Sequence, residues 1–145
     1  MKLEVYLGRA LPVFGILAAL GPGLQVVKLI RGREAVKAIR QFGPLPQIQI
    51  PAADYLTLTL ATLLLIAAVL QLFRFRVAAP LALAASAGLW VYYIPGIWDE
   101  VTGSMWFAVK LGRTTGITWQ MLTYQIAAMI CAGILTYLRA RQPQP

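Results

Sequence analysis

The chain has no histidine and a single cysteine among 145 residues. Without histidine it offers no imidazole ligand for haem, chlorophyll or zinc, and no imidazole for acid–base catalysis. The lone Cys131 excludes an intrachain disulfide and a Cys-x-x-Cys redox pair. It lies in an apolar run and reads as a small packing residue. Charge is scarce as well. Asp, Glu, Lys and Arg make up 12% of the chain, roughly half the ~25% of soluble domains. Carboxylates are the scarcest, five against thirteen Lys and Arg, which leaves a formal charge of +8. In a soluble protein that balance would point to nucleic acid. Here the bases flank long apolar runs, where they meet lipid phosphates and set topology, so nucleic acid is not an expected partner.

What the chain has in abundance is apolar surface: 59% hydrophobic residues and a mean hydropathy of +0.70. Residues 56–73, LTLTLATLLLIAAVLQLF, carry no charge. As a helix they would span roughly 27 Å, close to the ~30 Å hydrocarbon thickness of a bilayer. The pattern predicts an all-α, polytopic integral membrane protein, one membrane domain over residues 1–145. Four transmembrane helices are expected near 10–29, 56–73, 77–98 and 115–138, packed as an antiparallel bundle. In residues 31–42, Val36, Ile39 and Phe42 recur every three positions among Arg31, Arg33, Glu34, Lys37 and Arg40. That spacing predicts one short amphipathic interfacial helix.

Local signals refine these limits. Gly21-Pro22-Gly23 predicts a kink or break inside the first helix. Gly43 and Pro44 would end the interfacial helix, and the proline-framed stretch 43–53 would be extended. Asp54 reads as the N-cap of the second helix. Arg74-Phe75-Arg76 is so short a link that the second and third helices must form a hairpin. Pro95-Gly96 would bend or end the third, and Asp99 and Glu100 would open a polar connection whose Met105–Val109 portion dips into the interface. Arg139 and Arg141 would stop the fourth. Tyr55, Trp98, Trp106 and Trp119 then fall at one interface, Tyr6 and Tyr137 at the other, as an aromatic belt requires. Basic residues divide about evenly between the two sides, six with the termini and seven opposite. Arg74 and Arg76 before the third helix, with Asp99 and Glu100 after it, favour cytoplasmic termini, in the plasma (inner) membrane of a bacterium.

No predicted span carries a charge near its middle, which argues against a self-contained proton-coupled carrier. Amides and phenols lie at depth instead: Gln25, Gln120, Gln125 and Tyr124 are the candidate interhelical contacts, with Gln71, Tyr92 and Tyr93 nearby. Gln125 is nearest the midplane. Small residues recur at spacings of about four: Thr57, Ala61 and Ala68; Ala84 and Gly88; Thr123, Ala127 and Cys131; Ala128, Ala132 and Thr136. Such stripes let helices approach closely. Asp54, Asp99 and Glu100 form a candidate interfacial acidic site beside Lys110 and Arg113. Carboxylates there would suit Mg²⁺ and a phosphorylated headgroup, but adjacent Asp and Glu converge poorly on one ion. Capping and salt bridging account for them, and no catalytic, cofactor or metal residue is expected. The reading is a non-catalytic structural or accessory subunit of a larger membrane assembly. Its partners would be the bilayer and other membrane subunits or copies of itself. The alternatives are a small oligomeric transporter or channel, and a lipid-processing membrane enzyme.

Overall fold

A computed structural model describes residues 2–39, 52–102 and 119–142. Those residues are almost all helical, the exceptions being the link at 73–77, Leu89 and the last two positions, and no strand lies among them. The helices are α1 (Lys2–Ile39), α2 (Ala52–Leu72), α3 (Ala78–Gly88), α4 (Trp90–Thr102) and α5 (Trp119–Ala140). Three segments are long and apolar enough to cross a membrane: Lys2–Ala35, Asp54–Leu72 and Gln120–Ala140. The apolar run Ala78–Ile94 is shorter.

The helices close into a ring in which α1 packs on α2 and α5, and α3 packs on the same two. Neighbours run antiparallel. Gly15 of α1 meets Ala68 of α2, while Gly23 meets Ala61. Glu4 near the start of α1 reaches Arg139 near the end of α5. Both termini therefore lie at one end of the bundle.

The buried positions explain why the helices pack this way. Along α2 Thr57, Ala61, Leu64, Ala68 and Gln71 are buried at alternating steps of four and three, with Ala67 beside them. Along α5 the buried positions include Gln125, Ala128, Ala132 and Leu135, and along α3 Ala78, Ala82 and Ala85, followed by Leu89 just past its end. This seven-residue repeat keeps one stripe facing its neighbours along the whole helix. The stripe is small: eleven of the eighteen buried apolar residues among those described are alanines. Large apolar side chains point outward instead, among them Val13, Leu24, Ile66, Val69, Ile130 and Ile134. Small residues inside and large ones outside suit packing by close backbone approach in lipid, where apolar burial gives no drive for helices to associate.

Several boundaries differ from the sequence expectations. The first helix neither breaks at Gly21-Pro22-Gly23 nor gives way to a separate interfacial helix at 31–42; α1 is one helix through Ile39. Pro22 removes only one ladder bond, and its ring is fully buried, with Gly21 against Met121 and Gly23 against Ala61 holding the turn from two sides. No proline lies between Ile30 and Ile39 to stop the helix, and Gly32 is carried within it. Residues 40–51, including the proline-framed stretch as far as Pro51, lie outside the described residues.

Asp54 is not an N-cap, since α2 already begins at Ala52; its carboxylate sits in the first turn, where the helix dipole favours it. The third predicted span is divided at Leu89, which keeps right-handed helical dihedrals (φ −62, ψ −15). Leu89 N–H bonds to Ala85 O at 3.0 Å and Tyr92 N–H to Leu89 O at 2.9 Å, so the interruption is one tightened turn. Pro95-Gly96 does not end α4, which runs to Thr102 and so takes in Asp99 and Glu100. The last helix is described from Trp119 and continues through Arg139 to Ala140, and positions 115–118 of the expected span lie outside the described residues. Met105–Val109, Trp106, Lys110 and Arg113 lie outside the described residues.

Candidate functional site

Polar chemistry gathers at two levels. The first is the bundle interior. Gln125 is fully enclosed, and its Nε2 donates to the backbone carbonyl of Ser86 on α3. That carbonyl is in the last turn of α3, where the interruption at Leu89 takes carbonyls out of the regular ladder. The Ser86 hydroxyl turns back onto Leu83 O at 3.1 Å. Beside this pair, Trp90 Nε1 points at Met129 Sδ at 3.4 Å, and Tyr93 packs edge-on against Tyr92 with ring centroids 5.3 Å apart. Nearer the terminal end, Gln71 Nε2 donates to Gly8 O at 3.3 Å, bridging α2 to α1. Gln71 Oε1, Gln125 Oε1 and the Tyr93 hydroxyl are buried and make no hydrogen bond among the described residues.

Of the other sequence candidates, Tyr124 is half-buried against the core and Gln25 is half-buried with a partner of its own. Gln120 is exposed. Asp54 is half-buried near the start of α2. Asp99 and Glu100 belong to α4, and their side chains lie outside what is described.

The second level is a cleft of about 440 Å³ at the terminal end of the bundle, lined by Glu4, Arg74, Arg76, Pro80, Thr136 and Arg139 among others. The hairpin between α2 and α3 supplies Arg74 and Arg76; the last turn of α5 supplies Arg139. Arg139 is anchored twice. Its Nη1 donates to Phe75 O at 3.3 Å, and its Nε lies 3.8 Å from Glu4 Oε1. The other Glu4 oxygen accepts from Gln142 Nε2 at 2.8 Å. Arg141 stacks over the Tyr137 ring at 4.5 Å. One carboxylate is thus shared out while three guanidinium groups face one space, an arrangement suited to holding an anion.

Sequence reasoning treats these arginines as helix-flanking bases and does not group them. The available signal is the hairpin: an Arg-x-Arg link between adjacent antiparallel helices must lie beside the end of whatever helix packs on both. Ser86 carries no such signal, because its contribution is a backbone carbonyl. No protein-family model, characterised protein or solved structure matches the chain.

Proposed function

We propose that this chain is a small integral membrane protein whose helices cross the bilayer four times, and that it serves as a non-catalytic structural or accessory subunit of a larger membrane assembly. The fourth crossing is α3 together with α4. Residues 78–102 amount to roughly 37 Å of helix, enough to span despite the tightened turn at Leu89. Arg74 and Arg76 before that span, and Asp99 and Glu100 after it, favour cytoplasmic termini in a bacterial plasma membrane.

The observation that carries the subunit reading is how the bundle is filled. Gly15 stands so close to Ala68 that an added Cβ would lie 3.3 Å from the alanine methyl. At Gly88 an added Cβ would meet Leu60 at 2.9 Å. The ring interior is taken up by Leu11, Leu64, Leu89, Leu135 and Tyr93, all fully buried. Such a centre leaves little room for a path along its axis, and the large apolar side chains sit on the outside, where lipid or another subunit would cover them.

Purification in nanodiscs, with measured mass and identification of co-purifying chains, tests the proposal. A stoichiometric foreign membrane protein is the expected result. A homo-oligomer that passes solute in liposomes would favour the transporter alternative, and a monomer with no partner would overturn both.

A further inference from the structure

Arg74 occupies a position that helices usually give to glycine. The end of α2 is closed by two backbone bonds, Arg74 N–H to Gln71 O at 2.9 Å and Phe75 N–H to Leu70 O at 3.1 Å. These are the paired bonds of a Schellman C-cap, which puts Arg74 at the left-handed residue, with φ 59. A side chain is penalised there, so glycine would favour the fold. The chain instead holds a guanidinium at this turn, with a second at Arg76.

Neither is needed to close the helix. The C-cap already satisfies Leu70 and Gln71, and Arg139 takes the Phe75 carbonyl. Arg74 and Arg76 form no ion pair among the described residues. Three guanidinium groups against one carboxylate, Glu4, leave the cleft lining with a net positive charge. Immediately beside it, Leu72, Phe73, Phe75 and Val77 are each more than half exposed, Phe73 at 72%. A ligand matching both features has a phosphate at one end and acyl chains at the other.

We propose that the cleft of Arg74, Arg76 and Arg139 binds the phosphate of an anionic phospholipid, whose chains lie along the α2–α3 hairpin. The planar guanidinium fork matches phosphate oxygens two at a time, and Arg139 is oriented in advance by Glu4 and Phe75. This rests on the membrane reading above, and the experiment separates the two.

The full chain in dodecyl maltoside micelles is titrated with phosphatidylglycerol, phosphatidylcholine or inorganic phosphate. Bound lipid is counted by native mass spectrometry and melting is followed by circular dichroism. Phosphatidylglycerol is retained in preference to phosphatidylcholine. The double variant Arg74→Gln/Arg76→Gln weakens retention at least about tenfold, the scale of one lost charge-assisted hydrogen bond. Arg31→Gln, far along α1, leaves it unchanged. Arg74→Gly separates charge from folding: it keeps or raises the melting temperature while weakening lipid retention. Equal retention of the two lipids, or a double variant that binds like the parent, overturns the proposal. Arginine-dependent binding of inorganic phosphate without lipid retention overturns the lipid source. Insertion is read independently by flotation with phosphatidylcholine vesicles in alkaline carbonate. A chain that floats without preferring phosphatidylglycerol rejects the cleft alone; a chain that does not float rejects the membrane reading.

Discussion

The Gln125 amide on α5 donates to the Ser86 backbone carbonyl on α3, and neither residue has any exposed surface. Leucine at position 125 would keep the volume and leave that carbonyl without a donor. Gln125→Leu should therefore destabilise the bundle by about 1–2 kcal/mol, read from sodium dodecyl sulfate titration of the micelle-bound protein. Ser86→Ala keeps the carbonyl and loses only a bond back to its own helix, so its cost should be clearly smaller. Equal costs for the two variants would mean that the interhelical bond contributes nothing of its own.

Gly15 and Gly32 lie on the same helix in opposite surroundings. An added Cβ at Gly15 would lie 3.3 Å from the Ala68 methyl, a group fixed to the α2 backbone that cannot rotate away; at Gly32 nothing lies within 4 Å. Gly15→Leu should force α1 from α2 at a cost of about 1–3 kcal/mol. Gly32→Ala should stabilise by up to about 1 kcal/mol, because glycine inside a helix is entropically unfavourable. The same denaturant titration distinguishes them, and a harmless Gly15→Leu would contradict the α1–α2 packing.

What could be read from the residues, and what could not, divides along a physical line. Hydropathy and charge mark the apolar segments because solvent acts on single side chains, so α2 over Ala52–Leu72 falls close to the run at 56–73. Depth likewise singles out Gln125. Its acceptor is invisible in sequence, since any residue has a carbonyl and only the turn at Leu89 makes that of Ser86 available. Proline misleads for a related reason. Its local cost is legible at Pro22, but the contacts of Gly21 with Met121 and Gly23 with Ala61 that hold the helix there are long-range. The small-residue pattern was only half visible. Ala128 and Ala132 are buried, whereas Ala84 and Thr123 face outward, because the repeat is seven residues and a four-residue step drifts off the facing stripe. The arginine cleft comes from sequence positions more than sixty residues apart, joined only by the hairpin and the antiparallel return of α5.

Continuity of α1 through Pro22 sets a distance. Arg9 and Arg33 are both in this helix, and Arg33 Nη1 approaches Tyr55 Oη at 3.4 Å on α2. Twenty-four residues of unbroken helix separate their Cα atoms by roughly 36 Å. Spin labels at Arg9→Cys and Arg33→Cys, on a Cys131→Ser background, should give a narrow distribution near that separation. A break at the Gly-Pro-Gly step would shorten and broaden it. Pro22→Ala should leave the distance unchanged, since the kink it would relieve is not present as a helix break.

Glu4 and Arg139 join the two ends of the chain, with Nε and Oε1 3.8 Å apart and Gln142 bonded to the other carboxylate oxygen at 2.8 Å. The pairing is what the proposed four crossings require, since an even number of crossings returns the chain to its starting side. Reporters fused at the N-terminus and after Gln142 should give the same signal, and one inserted after Leu45 the opposite signal. The ion pair itself should be nearly silent in stability. Both partners are partly exposed, and pairs of that kind contribute about 0–1 kcal/mol, so Glu4→Gln should shift unfolding by less than about 1 kcal/mol. A short thiol crosslinker should still bridge Glu4→Cys and Gln142→Cys in native membranes, on the Cys131→Ser background. Opposite reporter signals at the two termini would overturn the four-crossing arrangement. Matching signals without a crosslink would keep the parity and reject the contact between α1 and α5 at this end.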